Sequence, residues 1–592
     1  MGLYRDCNLQ EISENLIGNE IKVSGWVYRK RDHGGVLFID LRDQYSVLQI
    51  VTEADSQAED VFEAVSKVSL ESVVQVVGVL RKRNEEEINK DVLNGEVELV
   101  IGSFIVLSGA STLPMYIATD KPYPEEMRLQ YRYLDLRTSK VRDNLMLRCN
   151  IVNDIRSFLA RAGFLDIATP ILTSSSPEGS RDFIVPSRLH KGRFYALPQA
   201  PQIFKQLLMV SGIDKYYQIA PCFRDEDSRA DRSPGEFYQV DIEMSFVEQE
   251  DVFKLCEELL LPIFAKYSEK QVIRDVPRIS YDEAMLKYGS DKPDLRNPII
   301  ICDVTDIFRG SDFSIFSRGV EQGKRVRAII APGAGSESRS FFDKKIQYAI
   351  KELGAAGLGY INFNIEGEPK GPIAKFLDQD RINKIKDIVN IKPNDAVFFS
   401  CETTEKVGYI SGVMRTMIGQ ELKIIQDNIQ FCWIVDFPYF ERDLQKGNMI
   451  DFAHNPFSMP QGGLEALETL DPEEIRAFQY DLVCNGMELS SGAIRNYDLE
   501  ILYKAFNIVG YSREEVDRNF SFMVNALKYG APPHGGIAPG LERMVMIIAN
   551  EVNIREVTPF PMNQKGEDLL MKAPSVIEGK ALKELGIQLV KK

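Results

Sequence analysis

The segment Glu236–Phe246 (EFYQVDIEMSF) sets Gln239, Asp241, Glu243 and Ser245 against Tyr238, Val240, Ile242, Met244 and Phe246. A period of two puts the polar set on one face of a strand and the apolar set on the other. On a lone strand such carboxylates would simply be solvated. The upstream residues argue otherwise: Pro221-Cys222-Phe223-Arg224-Asp225-Glu226-Asp227 runs into Arg229, Asp231 and Arg232. Such dense alternation of sign between two β-patterned segments suits a site for a charged substrate. A purely structural ion-pair loop is the other reading.

A second chemistry-bearing pattern lies near the N-terminus, where Arg29-Lys30-Arg31, Arg42 and Arg81-Lys82-Arg83 accompany Phe38 and Gln49. Over Lys22–Arg42 there are five Lys/Arg (22, 29, 30, 31, 42) against two Asp (32, 40). A basic groove with an exposed aromatic suits single-stranded bases, which stack on a ring while cations track phosphates. A solvated basic turn on a core strand fits these residues equally well. The net charge of −16 excludes a protein that coats nucleic acid over its whole surface, but not a local basic footprint.

Positioning these residues takes several domains, because 592 residues exceed one core. Short strands are expected at Ile21–Tyr28, Val36–Leu41, Val47–Thr52, Val73–Leu80 and Glu96–Leu107, which suggests an OB-type barrel over residues 1–110. A Pro-containing linker follows over 111–140. From Asp143 the pattern is helical, with Leu147, Ile151, Ile155, Phe158 and Leu159 on one face and Gly163 as the stop. A Gly-rich mixed α/β stretch over 294–425 splits a catalytic domain made of 141–293 and 426–592. The fold class is thus α+β multidomain: an OB-fold barrel, an antiparallel-sheet catalytic domain and an inserted α/β domain. The eight cysteines form no C-x-x-C pair, and with four histidines a structural zinc site is not expected. No run reaches the roughly 20 apolar residues of a membrane span, and Met1–Asp6 has no apolar signal core, so a cytoplasmic protein without membrane association is expected.

Taken together, the motifs resemble those of class II aminoacyl-tRNA synthetases, in the bacterial aspartyl form. F-R-D-E-D-S-R-A-D-R with the following strand resembles motif 2. Phe164–Pro170 (FLDIATP) resembles motif 1, and Gly540-Leu541-Glu542-Arg543 with the helix start Met544–Ala549 resembles motif 3. The Rossmann-type signatures HIGH and KMSKS are absent, as is a Walker A loop. The resemblance spans essentially the whole chain.

It implies a two-step reaction, in which L-aspartate is activated with ATP and then passed to tRNA. By this resemblance Arg224 contacts both aspartate and ATP. Glu226, Glu488, Gly540, Leu541, Glu542 and Arg543 hold ATP, and Asp481 with Glu488 carries Mg²⁺. A guanidinium suits paired carboxylate and phosphate oxygens, and hard oxygen ligands suit Mg²⁺. Lys205 and Arg495 pair the aspartate side chain, Glu178 and Asp241 receive its ammonium with Gln202 nearby, and His454 lies near it. Pro201 is expected as the first helical residue, which places Lys205 one turn from Gln202. Thr173–Arg181 resembles a mobile lid, and the motif 1 proline, Pro170, marks a homodimer interface. Ser233, Gly235 and Ser490-Ser491 depart from the family pattern.

The barrel resembles the family's anticodon-binding domain, with Arg29, Arg31, His33, Phe38 and Gln49 toward tRNA. Histidine at position 33 goes, within the bacterial family, with charging of both tRNA(Asp) and tRNA(Asn). Glu86 or Glu87, where glycine would accompany that relaxed choice, favours tRNA(Asp) alone. Two other readings remain: an asparaginyl enzyme, in which Lys205 and Arg495 would face an amide, and a non-catalytic tRNA-binding or amidotransferase-partner protein, which would have no need of Arg224, Glu488 and Arg543.

Overall fold

The computed structural model describes residues 2–54, 59–90, 92–119, 121–175, 181–226, 235–443 and 447–590. The chain divides into two compact units, Met1–Arg142 with Asp568–Lys572, and Asp143–Glu567 with Ala573–Lys592.

In the first unit five strands, Glu20–Asp32, Val36–Arg42, Val47–Glu53, Val73–Lys82 and Val97–Ser108, close into a barrel. Alternate residues of each strand, such as Val23, Val27, Ile39, Leu48, Ile50, Val74 and Val76, fill its interior, as a period-two pattern requires. The first strand runs four residues beyond its expected end. Arg29, Lys30 and Arg31 therefore lie on a strand paired with Phe38–Asp40, not in a turn. Arg42 leaves the expected basic groove altogether: it is buried, donating to Glu71 at 2.8 Å and to the Arg137 carbonyl at 3.1 Å. The expected linker contains two short helices, Glu125–Gln130 and Arg132–Asp135, braced by Arg128 and Arg132 on Asp135.

The second unit is built on an eight-stranded sheet. Its central order is Phe431–Val435, Gln479–Cys484, Met487–Ile494, His534–Ile537, Gly235–Ser245 and Lys215–Arg224, all antiparallel. Helix Gln249–Tyr267 covers one face, where Phe253 stacks on Trp433 at 4.0 Å and meets Tyr480 edge-on at 5.0 Å. Helix Ser139–Arg161 adds Ile151, Ile155 and Leu159 to the same core and ends before Gly163, whose φ of +82° suits glycine. The opposite face carries polar side chains.

A second, five-stranded sheet occupies 301–402, with its core divided between its two faces. Helix Thr404–Glu421 packs on one of them. The barrel, the antiparallel sheet and the inserted α/β element match the fold class expected from sequence. Among the described residues no helix is long and apolar enough to cross a membrane.

Candidate active site

Strand Gly235–Ser245 is the floor of the site. Both its faces are buried: Val240, Ile242 and Met244 enter the core, while Asp241 and Glu243 have no solvent exposure on the other side. This removes the solvated-strand reading. Phe246 falls outside the alternation, since the chain turns there with φ +58° and leaves its ring 72% exposed. Above the polar face lies a cavity of about 670 Å³.

The floor carries four buried charges. Helix Gln202–Val210 turns Gln202, Lys205, Gln206 and Met209 inward, at the three- and four-residue spacing of one helix face. Pro201 caps this helix from outside it, accepting the Lys205 N–H at 3.0 Å. Lys205 Nζ donates to Asp241 Oδ1 at 2.6 Å and lies 3.4 Å from Glu243 Oε2. Arg495 grips Glu243 in a fork, Nε to Oε1 at 2.9 Å and Nη2 to Oε2 at 3.2 Å. Two cations and two carboxylates balance, as buried charges must. Burial pushes the Asp241 carboxyl up, only partly offset by Lys205. Burial also acts on Glu243, but Arg495 and then Lys205 outweigh it and hold that carboxyl below the ordinary range. Asp241 Oδ2 and Gln202 Nε2 are buried without a hydrogen bond among the described residues.

The walls bring further charge to the same space. Arg224 ends the strand Lys215–Arg224, and its guanidinium lies 5.0 Å over the Phe237 ring with its buried Nε unpartnered among the described residues. Glu226 follows on the cavity wall. Gly540, Glu542 and Arg543 line the opposite wall, where helix Leu541–Ile548 begins. Leu541 does not: it is completely buried in the core, because the first turn of an amphipathic helix must seat its apolar side. Glu542 is a brace, accepting from Arg148 and from the Tyr238 N–H, each at 3.0 Å. Gly540 has an ordinary φ of −72°, so room rather than left-handed backbone is what it provides.

Asp481 and Glu488 stand on neighbouring strands. The register slips by one residue between Leu482 and Val483, setting Glu488 opposite Val483 on the Asp481 face. An unbroken register would set it opposite Cys484, a core residue. Burial and the neighbouring Glu488 push the Asp481 carboxyl up to about 8. Lys292 Nζ answers this negative pair, 3.5 Å from Glu488 Oε2 and 2.5 Å from Asp291 Oδ2. Arg543 donates to the Glu488 carbonyl at 2.6 Å. His454 lines the cavity and keeps part of its surface in solvent, edge-on to Phe437 at 5.2 Å; desolvation by its neighbours and then the Lys292 charge hold its imidazole below the usual range.

On the barrel a second cavity, of about 850 Å³, is lined by Arg29, Arg31, His33, Phe38 and Gln49. Arg31 donates to Asp40 at 2.7 Å and to Gln49 Oε1 at 3.2 Å; Gln49 in turn donates to Glu98 at 2.6 Å. His33 meets Phe38 edge-on at 5.7 Å. Glu87 lines this cavity whereas Glu86, its neighbour in the exposed turn Glu85–Glu87, does not.

The structure therefore gathers Gln202, Lys205, Arg224, Glu226, Asp241, His454, Asp481, Glu488, Arg495, Gly540, Glu542 and Arg543 around one space. Glu178, Ser233 and most of the Thr173–Arg181 segment lie outside the described residues. Two site residues went unassigned in the sequence. Glu243 was signalled by its place two residues after Asp241 on one strand face; Lys292 carried no signal, being a lone lysine at the edge of the inserted segment.

Residues 124–564 match the family described as tRNA synthetases class II (D, K and N), and residues 21–107 match an OB-fold nucleic acid binding domain. The chain is 56% identical over 603 aligned positions to the aspartate--tRNA(Asp/Asn) ligase of Wolbachia pipientis subsp. Culex pipiens (strain wPip), with 100% of both chains covered. It is 56% identical over 594 positions to the protein of that name in Ehrlichia chaffeensis (strain ATCC CRL-10679 / Arkansas), again over 100% of both. Among solved structures, asparaginyl-tRNA synthetase from Pyrococcus horikoshii complexed with asparaginyl-adenylate shares the fold at TM-score 0.59 and 18% identity, covering 95% of this chain and 98% of that one. The aspartyl tRNA synthetase from Entamoeba histolytica gives TM-score 0.58 at 18% identity, over 94% and 91%. With its antiparallel sheet, its charged floor and a family match over most of its length, this chain belongs to the class II tRNA synthetases of the aspartate, lysine and asparagine group.

Proposed function

We propose that this protein joins L-aspartate to tRNA(Asp) and tRNA(Asn) in two steps. An aspartate α-carboxylate oxygen attacks the α-phosphorus of ATP, the bond to the bridging β-phosphate oxygen breaks, and pyrophosphate leaves. A ribose hydroxyl at the tRNA terminus then attacks the aspartyl-adenylate carbonyl, loses its proton and expels AMP. Such chemistry asks for positioning and charge neutralisation more than covalent help.

The observation that carries this reading is the charged floor. Lys205 and Arg495 present N–H donors toward a side-chain carboxylate, and the unpartnered Asp241 Oδ2 fits an ammonium. The four floor charges sum to zero, so the single net negative charge of aspartate is left for Arg224, which also reaches the phosphate side. An asparagine side chain would bring one negative charge fewer and turn an NH2 donor toward Lys205 and Arg495, which can only donate, and sites of this kind discriminate strongly. The asparaginyl reading is disfavoured for that reason. Arg543 supports ATP from the opposite wall.

The Asp481–Glu488 pair fits a divalent cation: two hard oxygen donors on one face, the Asp481 carboxyl pushed up to about 8 by burial and then by the charge of Glu488. Mg²⁺ takes few protein carboxylates and completes its shell with phosphate and water. When bound it would neutralise phosphate charge; Asp481 and Glu488 would hold it.

The barrel cavity fits unpaired bases, with Phe38 and His33 as rings and Arg29 and Arg31 as cations. His33 and the names of the relatives support the wider acceptor choice, whereas Glu87 on the cavity wall supports tRNA(Asp) alone. Exposed Leu165, Ile171 and Leu172 beside Pro170 support a homodimer, and the reaction suits the cytoplasm.

Exchange of labelled pyrophosphate into ATP, stimulated by aspartate and not by asparagine, is the test of activation. No exchange with either amino acid would remove the enzyme reading. Charging purified tRNA(Asp) and tRNA(Asn) side by side tests the acceptor, and product on tRNA(Asp) alone would select the narrower enzyme.

A further inference from the structure

The segment 288–299 leaves the catalytic sheet for the inserted region, and it is bound with unusual closeness to one helix of that region. Helix Thr404–Glu421 places Gly408, Gly412, Arg415 and Gly419 at spacings of four, three and four, which is one helix face. Gly289, at φ +65°, lies so near that a Cβ on it would meet Gly408 O and, at 2.6 Å, Gly412 N. A Cβ on Gly412 would come within 2.5 Å of Gly289 O, and one on Gly419 would strike the Asn297 amide. Between the glycines, Arg415 is buried and spends its donors on three carbonyls of the same segment: Asp294 at 2.9 Å, Asn297 at 2.6 Å and Ile299 at 2.7 Å. Its guanidinium lies 5.0 Å over Tyr288.

What this clamped segment delivers to the active site is Lys292. Its ammonium lines the cavity and stands beside Glu488, whose carbonyl is held by Arg543. Two cations thus flank Glu488, Lys292 at its carboxylate and Arg543 at its carbonyl, on the same sheet that carries the charged floor. The distance from Lys292 to Glu488, 3.5 Å, is that of a loose ion pair and leaves donor capacity for another oxygen. Lysine serves phosphates as a point charge on a flexible stem.

We propose that Lys292 is a further substrate-binding residue, a cation for the polyphosphate of ATP and for pyrophosphate, and that the inserted α/β region is its scaffold through the Gly408–Gly412–Arg415–Gly419 face. This rests on the adenylate-forming reading above. It gives the inserted region a part in the first step of the reaction, through 288–299, independent of any contact with tRNA.

The test is aspartate-dependent pyrophosphate exchange by the full-length protein, with ATP, pyrophosphate and aspartate varied separately. Lys292→Gln raises KM for ATP and for pyrophosphate by roughly tenfold to a hundredfold, the loss of one charge-assisted hydrogen bond, and leaves KM for aspartate within about twofold. Lys292→Arg recovers most of the loss. Gly412→Ala, remote from substrate, reproduces the same split in weaker form. An unchanged pyrophosphate KM in Lys292→Gln overturns the assignment, as does an equal rise in the aspartate KM, which would mean general distortion. A Gly412→Ala protein with wild-type nucleotide constants overturns the scaffold. If the wild-type protein itself shows no exchange, the adenylate-forming reading has failed first, and this one with it.

Discussion

Glu243 faces Arg495 with both carboxylate oxygens, at 2.9 and 3.2 Å, while Lys205 closes on the second oxygen from the other side at 3.4 Å. This pairing makes the specificity residues a single rigid unit. Arg495 is held in its fork before any ligand arrives, so the cost of ordering a long cation is met in folding and not in binding.

Breaking that unit from the carboxylate side should be expensive. Glu243→Ala leaves Arg495 buried beside a cavity, and removing one partner of a buried pair costs about 3–5 kcal/mol. The expected outcome is a large drop in the urea midpoint together with a raised KM for aspartate. Unchanged stability in Glu243→Ala would show that Arg495 finds another partner.

Lys205→Met tests specificity. Losing one of two cations from a desolvated site should lower kcat/KM for aspartate by about 3 kcal/mol, roughly a hundredfold, with little effect on asparagine. The measurement is pyrophosphate exchange with each amino acid, and an equal loss for both would refute a side-chain role.

His534 predicts how stability varies with pH. The ring is buried behind the floor, with Nδ1 2.7 Å from the Pro532 carbonyl, Nε2 3.4 Å from the Gln206 amide, and Glu243, Arg495 and Lys205 beyond. Burial lowers its imidazole below the ordinary value; Glu243 and Pro532 only partly oppose this. A folded-state value below the unfolded one means that the unfolded chain takes up the proton first. Its contribution is therefore complete above about pH 6.5 and declines as pH falls from there toward the folded value. Thermal unfolding between about pH 7.5 and about pH 5.5 should show a shallower decline in His534→Asn than in wild type.

Phe38 separates the two cavities by function. Phe38→Ala removes a stacking ring worth about 1–3 kcal/mol per base and should raise KM for tRNA by roughly tenfold, leaving pyrophosphate exchange unchanged. A companion variant, Glu87→Gly, should raise charging of tRNA(Asn) relative to tRNA(Asp). An unchanged ratio would exclude Glu87 as the residue that restrains acceptor choice.

Much of this was legible from residue order alone. Five alternating segments with turn punctuation specify a barrel, because side-chain period and strand length are local properties. Asp241 was marked by a carboxylate on a strand whose neighbours alternate in sign, and Arg224, Glu488 and Arg543, picked out by their motifs, line one cavity. Three things required the tertiary structure. The first is which cation meets which carboxylate: Lys205, Asp241, Glu243 and Arg495 come from three separate stretches of chain, and pairing among buried charges depends on angstrom-scale distances. The second is the one-residue slip beside Val483, which puts Glu488 on the cavity face when its seven-residue spacing from Asp481 says nothing about face. The third is Lys292, whose position is decided by a glycine-lined helix more than 110 residues downstream. Local sequence sets the period and type of each element; the meeting of distant elements is set by how their surfaces pack, and packing is not written in spacing.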